Sequence, residues 1–133
     1  MTDTVAVNVD VLNISLTSLT PGAEPTVTPN PLEVVPGDTV QLTVAWPAKN
    51  PDSSDAPNTI NGSLFFNGNT QDPFNDEPNG KTAFTVTRAD ENSAGTTEIT
   101  IMDDAQEGTD SYNVKLVING LSYGVDPQIK VKR

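Results

Sequence analysis

The fold class is decided by one stretch, Tyr112-Asn113-Val114-Lys115-Leu116-Val117-Ile118-Asn119-Gly120. Large apolar side chains occupy every second position from Tyr112 to Ile118, and side chains two residues apart lie on one face of a β-strand. The pair Asn119-Gly120 favours a two-residue hairpin turn, because both of its positions need positive φ angles. The stretch therefore predicts a half-buried strand that turns back into a final strand.

On both sides of this stretch the same period of two recurs. The further apolar sets are Val40, Leu42, Val44 and Trp46; Phe84 and Val86; Ile99 and Ile101; and Ile129 and Val131. The run Leu64-Phe65-Phe66 is apolar at consecutive positions, which predicts a central strand. Pro and Gly residues punctuate these segments, and helix-forming patterns are confined to one short turn. The sequence therefore predicts an all-β sandwich of about seven antiparallel strands.

Two segments resemble immunoglobulin-like domains of bacteria and phages. Pro31-Leu32-Glu33-Val34-Val35-Pro36-Gly37-Asp38-Thr39-Val40-Gln41-Leu42-Thr43-Val44 is similar to their first two strands, and Gly108-Thr109-Asp110-Ser111-Tyr112-Asn113-Val114 resembles their approach to strand F. The resemblance covers about residues 24–133. It implies an Ig-like antiparallel β-sandwich in which the hydroxyl of Tyr112 bonds to nearby backbone as a tyrosine corner. The chain departs from the pattern because it has no Cys pair and no Trp in the Leu64–Phe66 strand.

The N-terminal residues exceed what a seven-strand sandwich needs. Two apolar sets of opposite phase occur there, Val5, Val7, Val9 and Val11, and then Leu12, Ile14 and Leu16. A shift by one residue exchanges the two faces of a strand, so this change of phase indicates a bulge, a bend or two separate strands. We therefore divide the chain into an N-terminal arm or extra strand, residues 1–23, and a sandwich domain, residues 24–133.

Two interpretations of the N-terminal segment remain open. It is an extra edge strand on the chain's own sheet, or it is an arm that adds to the sheet edge of a neighbouring molecule. Its β-branched residues and its few charges suit both. The second interpretation makes Val5, Val7 and Val9 partner-binding residues, and it allows self-association through the arm.

The formal net charge of −11 argues against two classes of partner. Nucleic acid and anionic membrane surfaces both repel an acidic chain that has no basic stripe. No apolar run reaches the ~20 residues that span a bilayer, and no export signal opens the sequence. We therefore expect no nucleic acid and no membrane insertion, and we interpret the acidity as a source of solubility.

Cysteine and histidine are both absent. Their absence removes disulfides, thiol nucleophiles, the usual zinc sites and any Ser-His-Asp triad. Aromatic residues, which would line a sugar cleft, make up only 5% of the chain, and this weakens a glycosidase interpretation of its carboxylates. We therefore predict that the chain is not an enzyme and holds no cofactor.

Acidic residues cluster in polar segments between the predicted strands. Calcium binds about six to eight oxygen atoms, which clustered carboxylates can supply. The weak calcium candidates are Asp72, Asp76, Asp103 and Asp104. No Asp-x-Asp-x-Asp-Gly pattern accompanies them, and acidic loops are the ordinary surface of an acidic protein. The sequence favours solvated loops, with a calcium site as the alternative.

Four further residues are candidates for partner contact: Phe74, Tyr123, Lys130 and Lys132. Phe74 lies in a long polar segment, so it either folds back over the end of the sandwich or stays exposed as an anchor, which Tyr123 would join. Lys130 and Lys132 face outward on the final strand. They guard a sheet edge against aggregation or dock the basic tail on an acidic neighbour, and we favour the guarding role.

These features predict a non-catalytic structural or interaction module that docks on a larger protein assembly. A bacteriophage virion decoration (cement) protein is the specific role that we expect. The alternative is a bacterial cell-surface or secreted adhesion module that binds carbohydrate or calcium. The expected location is a virion or an extracellular surface, and Met1 together with the missing export signal indicates a complete natural chain held by partners.

Overall fold

The computed structural model describes residues 9–65, 73–74 and 81–132, and the regular structure in this part is β-strand throughout. In chain order the strands are β1 (Val9–Ser15), β2 (Thr26–Thr28), β3 (Leu32–Val34), β4 (Thr39–Ala45), β5 (Thr59–Phe65), β6 (Lys81–Thr87), β7 (Gly95–Thr100), β8 (Gly108–Ser111), β9 (Asn113–Ile118), β10 (Leu121–Val125) and β11 (Gln128–Val131). The predicted all-β sandwich with an additional N-terminal strand is confirmed, but the described residues form eleven strands rather than about seven, and the pairs β1–β4 and β3–β11 are parallel rather than antiparallel. Within the same residues, no helix has the length and apolarity needed to cross a bilayer.

The first sheet has the strand order β2-β1-β4-β7. β1 runs parallel to β4 along its whole length, from the pair Val9↔Thr39 to the pair Ser15↔Ala45. β7 flanks β4 on the other side and is antiparallel to it. β2 is short and pairs only with the last three residues of β1. The N-terminal strand is therefore part of the chain's own sheet.

The second layer is organised by one long hairpin. β9 and β10 pair around the Asn119–Gly120 turn, and β8 and β11 continue the same register. The amide of Tyr112 donates to the carbonyl of Pro127 across the short interruption (3.0 Å), so both strand pairs belong to one hairpin. β5 and β6 extend this layer beyond β9, and β3 extends it beyond β11 in parallel orientation. The φ angles of Asn119 (54°) and Gly120 (77°) confirm the predicted turn.

A single apolar core fills the space between the two layers. Alternate residues of the predicted strands point into it, and Val40, Leu42 and Val114 are fully buried there. β5 lies between β9 and β6, and Leu64 is fully buried, so the predicted central strand is confirmed. Trp46 also lies in this core. The alternation of the sequence therefore marks the inner faces of both layers.

β1 contributes to the core as fully as the later strands do. Leu12 and Ile14 on β1, and Leu16 and Leu19 after it, are each at most 4% exposed. Of the two interpretations of the N-terminal segment, the structure shows the strand on the chain's own sheet for the seven residues of β1. The expected edge position is wrong for the second half of β1, because the chain returns as β2 and covers it.

The two ends of the sandwich differ in their polar groups. We call the end with the Asn119–Gly120 turn the hairpin end, and the opposite end, where β1 begins, the Val9 end. At the hairpin end Arg88, directly after β6, is 2% exposed and stacks over the ring of Trp46 at 4.4 Å. Its guanidinium donates to the carbonyl of Trp46 (2.7 Å) and to Oδ1 of Asn58 (2.9 Å). This buried cation, which the alternation pattern does not predict, joins the ends of β4 and β6.

Candidate interaction site

The Val9 end carries a stretch of open sheet edge. β2 covers β1 only from Asn13 to Ser15, so residues 9–12 have no strand partner on that side among the described residues. After β2 the chain passes through Pro29 and Pro31 and enters the second layer as β3. Proline has no amide hydrogen, so these two positions offer β1 no backbone donor. We call residues 9–12 with their uncovered side the open edge.

The backbone of β1 directs the polar groups of two residues to the open edge. Just after β1, the amide of Leu16 donates to the carbonyl of Ala45 at the end of β4 (2.9 Å). Backbone groups alternate between the two sides of a strand, so even-numbered residues of β1 face β4 and odd-numbered residues face away from it. The amide and carbonyl groups of Val9 and Val11 therefore point to the open edge.

Side chains at the open edge alternate between the surface and the interior. Val9 and Val11 are 56% and 42% exposed on the outer face of the sheet. Leu12 is fully buried on the inner side, and Asp10, in the same phase, is half-buried there. Exposed β-branched side chains, beside a backbone that has no partner in the described part of the chain, suit the addition of another strand.

Two adjoining open grooves, each of about 350 Å³, run between the open edge and β3. Both are lined by Val9, Asp10 and Glu33. One extends past Asp38 and Lys132, and the other extends to the prolines that follow β2. The carboxyl group of Asp10 therefore faces space that a side chain of an added strand can enter.

Asp10 brings an ionisable group to the inner side of the open edge. Its carboxyl group lies against that of Asp38, and its Oδ2 atom is buried with no hydrogen-bond partner in the described part of the chain. Burial, a hydrogen bond to Asp38 and the charge of Asp38 raise the pKa of Asp10 from 3.8 to about 6. That hydrogen bond needs a proton, because ionised carboxylates only accept. At neutral pH the pair therefore brings two negative charges together.

Asp38 is held in place by the tight turn before β4. Its Oδ2 accepts the amide of Val35 (2.9 Å), and its own amide donates to the carbonyl of Val35 (3.0 Å). Gly37 in this turn has a φ of 89°, and a Cβ there would lie 3.1 Å from Oδ1 of Asp103. The φ angle favours glycine, and a Cβ would also require the exposed side chain of Asp103 to shift. Asp38 therefore cannot move away from Asp10 without disrupting the turn.

The two predicted partner-binding lysines have different surroundings. Lys132 donates to Oε2 of Glu33 at 2.9 Å, and this contact lowers the pKa of Glu33. Lys130 is exposed on β11. β11 lies between β3 and β8, so it is not an edge strand, and the expected role of these lysines in guarding an edge is wrong. Lys132 instead lines the groove that Asp10 faces.

Phe74, the first predicted aromatic anchor, is buried rather than exposed. It is 7% exposed and meets Tyr112 edge-on, with the ring centroids 6.2 Å apart. The carbonyl of Pro73 accepts the amide of Met102 (2.8 Å), which fixes this segment beside the loop after β7. Of the two alternatives for Phe74, the structure shows the one in which the ring folds back over the sandwich, because the core offers it apolar cover.

Tyr123, the second predicted aromatic contact, is also buried, at the hairpin end. It is 2% exposed, and its hydroxyl donates to the carbonyl of Leu19 (2.7 Å). The expected exposed patch of Phe74 and Tyr123 is therefore wrong. Tyr112, the expected corner tyrosine, is 2% exposed, and burial raises the pKa of its phenol. Its corner hydrogen bond stays a prediction.

The structure describes two of the four calcium candidates. Asp103 and Asp104 are exposed in the loop after β7. Asp72 and Asp76 lie outside the described residues. Within residues 9–65, 73–74 and 81–132, no three metal-ligating side chains come together. The described acidic loops are solvated surface.

The sequence pattern marks part of the open edge, because Val9 lies in it, whereas Val5 and Val7 lie outside the described residues. Asp10 and Asp38 are not among the residues that the pattern singles out, although Asp10 shares its phase with the buried residues of β1, which indicates an inward direction. No protein-family model and no curated protein matches this sequence.

Proposed function

We propose that this chain is a non-catalytic interaction module that docks on a larger protein assembly through the open edge. The observation that carries the proposal is the backbone of Val9 and Val11, which has no strand partner on the side away from β4 among the described residues, with both valine side chains exposed beside it. Such an edge accepts an extended segment of a partner, since backbone hydrogen bonds supply affinity and alternate side chains supply specificity.

The proposed module is immunoglobulin-like, and its assembly role is that of a bacteriophage virion decoration protein. The strand arrangement supports the first part: β4 and β7 share one sheet, while β5, β8–β9 and β10–β11 share the other. Strands B and E face strands C, F and G in this way in immunoglobulin-like sandwiches. The decoration role is supported by the small size and the acidic charge of the chain, by its open edge, and by the absence of Cys and His from its sequence.

Cosedimentation tests the docking proposal. Val11→Pro removes the amide hydrogen that faces the open edge and leaves those that face β4. We expect the wild-type chain, added to a lysate or virus preparation of its source, to sediment with a large particle. The Val11→Pro protein should stay at the top of the gradient. Val11→Thr is the matched control, because it keeps the amide hydrogen and the branched shape, and it should sediment like the wild type.

Two outcomes contradict the proposal. The first is a Val11→Pro protein that is folded by thermal unfolding and still sediments with the particle. The second is a wild-type chain that stays at the top of the gradient in every preparation of its source. Deleting residues 1–20 would not serve as the test, because it removes the buried side chains of Leu12, Ile14, Leu16 and Leu19 from the core.

A further inference from the structure

We propose that the partner of the open edge is an antiparallel β-strand of a different protein, with a lysine or arginine opposite Asp10 and apolar residues opposite Val9 and Val11. This inference rests on the proposed docking function and adds the chemistry of the partner. It follows from the side-chain directions on β1 and from the charges of the groove. It also follows from the lysine-containing strands β9 and β11, which already have strand neighbours on both sides.

The geometry of an antiparallel pair decides which partner residue meets Asp10. Residues directly opposite each other point to the same face of the sheet. The partner residues opposite Val9 and Val11 therefore lie on the outer surface, beside two exposed valines, and the residue between them enters the groove toward β3. Because the backbone groups of Asp10 face β4, Asp10 stands in a non-hydrogen-bonded pair, in which opposing side chains come closest.

The groove that receives this side chain is negatively charged. Asp10 and Asp38 lie against each other along it, and Glu33 forms another part of its wall. Lys132 lines the same groove, but its ammonium group binds Glu33. A basic side chain from the partner would therefore neutralise the Asp10–Asp38 pair, whereas an acidic one would add a further negative charge.

A second copy of this chain is a poor partner for the open edge. In an antiparallel self-pair, odd-numbered residues would exchange backbone hydrogen bonds, so Val9 would face Val11 and Asp10 would face Asp10 of the other copy. Like charges directly opposite each other are destabilising. The next register would use Asn13, which already pairs with Thr28. An inward-pointing charge of this kind protects a sheet edge from self-association.

The chain's own basic strands are not available to another copy. Two described segments have a lysine between apolar residues, Val114-Lys115-Leu116 in β9 and Ile129-Lys130-Val131 in β11. β9 lies between β10 and β5, and β11 lies between β3 and β8, so both segments have strand neighbours on each side. The basic strand that complements Asp10 therefore comes from a different protein.

Peptide titration followed by backbone NMR tests this inference. The probes are short synthetic peptides, acetylated and amidated, with a central valine–lysine–valine or valine–glutamate–valine flanked by threonines. We expect the lysine peptide to shift the amide signals of Val9 and Val11 and to bind about tenfold more tightly than the glutamate peptide. Asp10→Lys should reverse the preference, and Asp10→Asn should abolish it. Glu98→Gln, an exposed position on β7 that lines neither groove, is the control and should keep it.

The outcomes distinguish a failure of the proposed partner chemistry alone from a failure of the proposed docking function. Peptides that bind the open edge with equal affinity whatever their charge overturn the partner chemistry and leave docking at the edge intact. If no peptide of either charge shifts the signals of the open edge, both the docking function and the partner chemistry are contradicted. If Asp10→Lys does not fold, Asp10→Asn alone decides, because a charge preference that survives this substitution does not come from Asp10.

Affinity for the lysine peptide should also depend on pH. Asp10 attracts a cation only after it loses its proton, so affinity should rise as the pH increases through about 6. Among the residues that the structure describes, the other charged groups around Asp10 are Asp38, Glu33 and Lys132 in the groove lining, and Asp103 against the turn before β4. The difference between wild type and Asp10→Asn isolates Asp10 from them. A difference that does not change with pH contradicts the role of Asp10.

Discussion

The hairpin end and the Val9 end each hold an ionisable side chain that faces the interior, and these two side chains differ in their hydrogen bonds. At the hairpin end, Arg88 is stacked on Trp46 and donates to two acceptors. At the Val9 end, Asp10 meets another carboxyl group, Asp38, and keeps a buried oxygen without a hydrogen-bond partner among the described residues. The charge of Arg88 is therefore hydrogen-bonded within the fold, whereas the carboxyl group of Asp10 can still accept a further contact.

This difference separates a structural charge from a binding charge. A buried charge is tolerated when hydrogen bonds replace its hydration, and Arg88 meets that condition with acceptors from two segments of the chain, Trp46–Pro47 and Asn58. Asp10 meets it only in part, and it does so beside an unpaired strand edge. We therefore expect substitutions at the hairpin end to cost stability, and substitution of Asp10 to increase stability at neutral pH.

The largest effect is expected at Arg88. Arg88→Met keeps much of the volume but removes the charge and its hydrogen bonds, which leaves the carbonyl of Trp46 and the side chain of Asn58 without their donor. The free energy of unfolding should fall by about 3 kcal/mol. Chemical denaturation followed by the fluorescence of Trp46, the single tryptophan, measures it. Arg88→Lys keeps the charge without the planar fork and should lose less. A loss below about 1 kcal/mol in Arg88→Met would contradict the structural role of Arg88.

A smaller loss is expected for Tyr123→Phe. The hydroxyl of Tyr123 donates to the carbonyl of Leu19, and both residues are buried. Removing the donor should lower the free energy of unfolding by about 1.5 kcal/mol, measured by the same denaturation. An unchanged stability would mean that water reaches this carbonyl from the open hollow of about 450 Å³ that both residues line. The buried polar groups of the hairpin end would then depend on water as well as on hydrogen bonds within the chain.

The smallest effect has the opposite sign. Asp10→Asn replaces the second negative charge with an amide that can donate to Asp38, so stability at neutral pH should rise by about 1 kcal/mol. Folding raises the pKa of Asp10 from 3.8 to about 6, so ionisation of Asp10 destabilises the folded chain. The gain should therefore be absent below about pH 4 and complete above about pH 6. Thermal unfolding of both proteins across this range measures it. A gain of constant size at every pH would contradict the charge explanation.

Much of the fold follows from local patterns in the sequence. Apolar residues at every second position mark the strands, and a pair such as Asn119-Gly120 marks its turn, because both signals depend on neighbouring residues only. The parallel pairing of β1 with β4 is not predictable in this way. It joins residues far apart along the chain. The change of phase near Val11 predicts a bulge, a bend or two separate strands, and this is wrong for residues 9–15, because β1 pairs with β4 through it without interruption.

The candidate site was predictable only in outline. Val9 stood out because β-branched residues recur at every second position before it in the sequence. The sequence left Phe74 open between a buried position and an exposed one that Tyr123 would join, because burial depends on which distant elements supply apolar cover. Asp10 and Asp38 were missed for the same reason, since their carboxyl groups meet only when β1 lies beside the turn before β4.

The parallel pair of β3 and β11 has a consequence for synthesis on the ribosome. Leu32 pairs with Ile129, so β3 can join the second layer only after the residues around Ile129 have been synthesised. β1, β2 and β4 emerge first and can associate, yet their apolar face stays uncovered until the long hairpin arrives. Folding that depends on such distant contacts is slow, and the exposed half-sheet is vulnerable to aggregation meanwhile. Nascent chains of this protein should therefore bind holdase chaperones, and ribosome-bound intermediates should lose that binding only after β11 has left the exit tunnel.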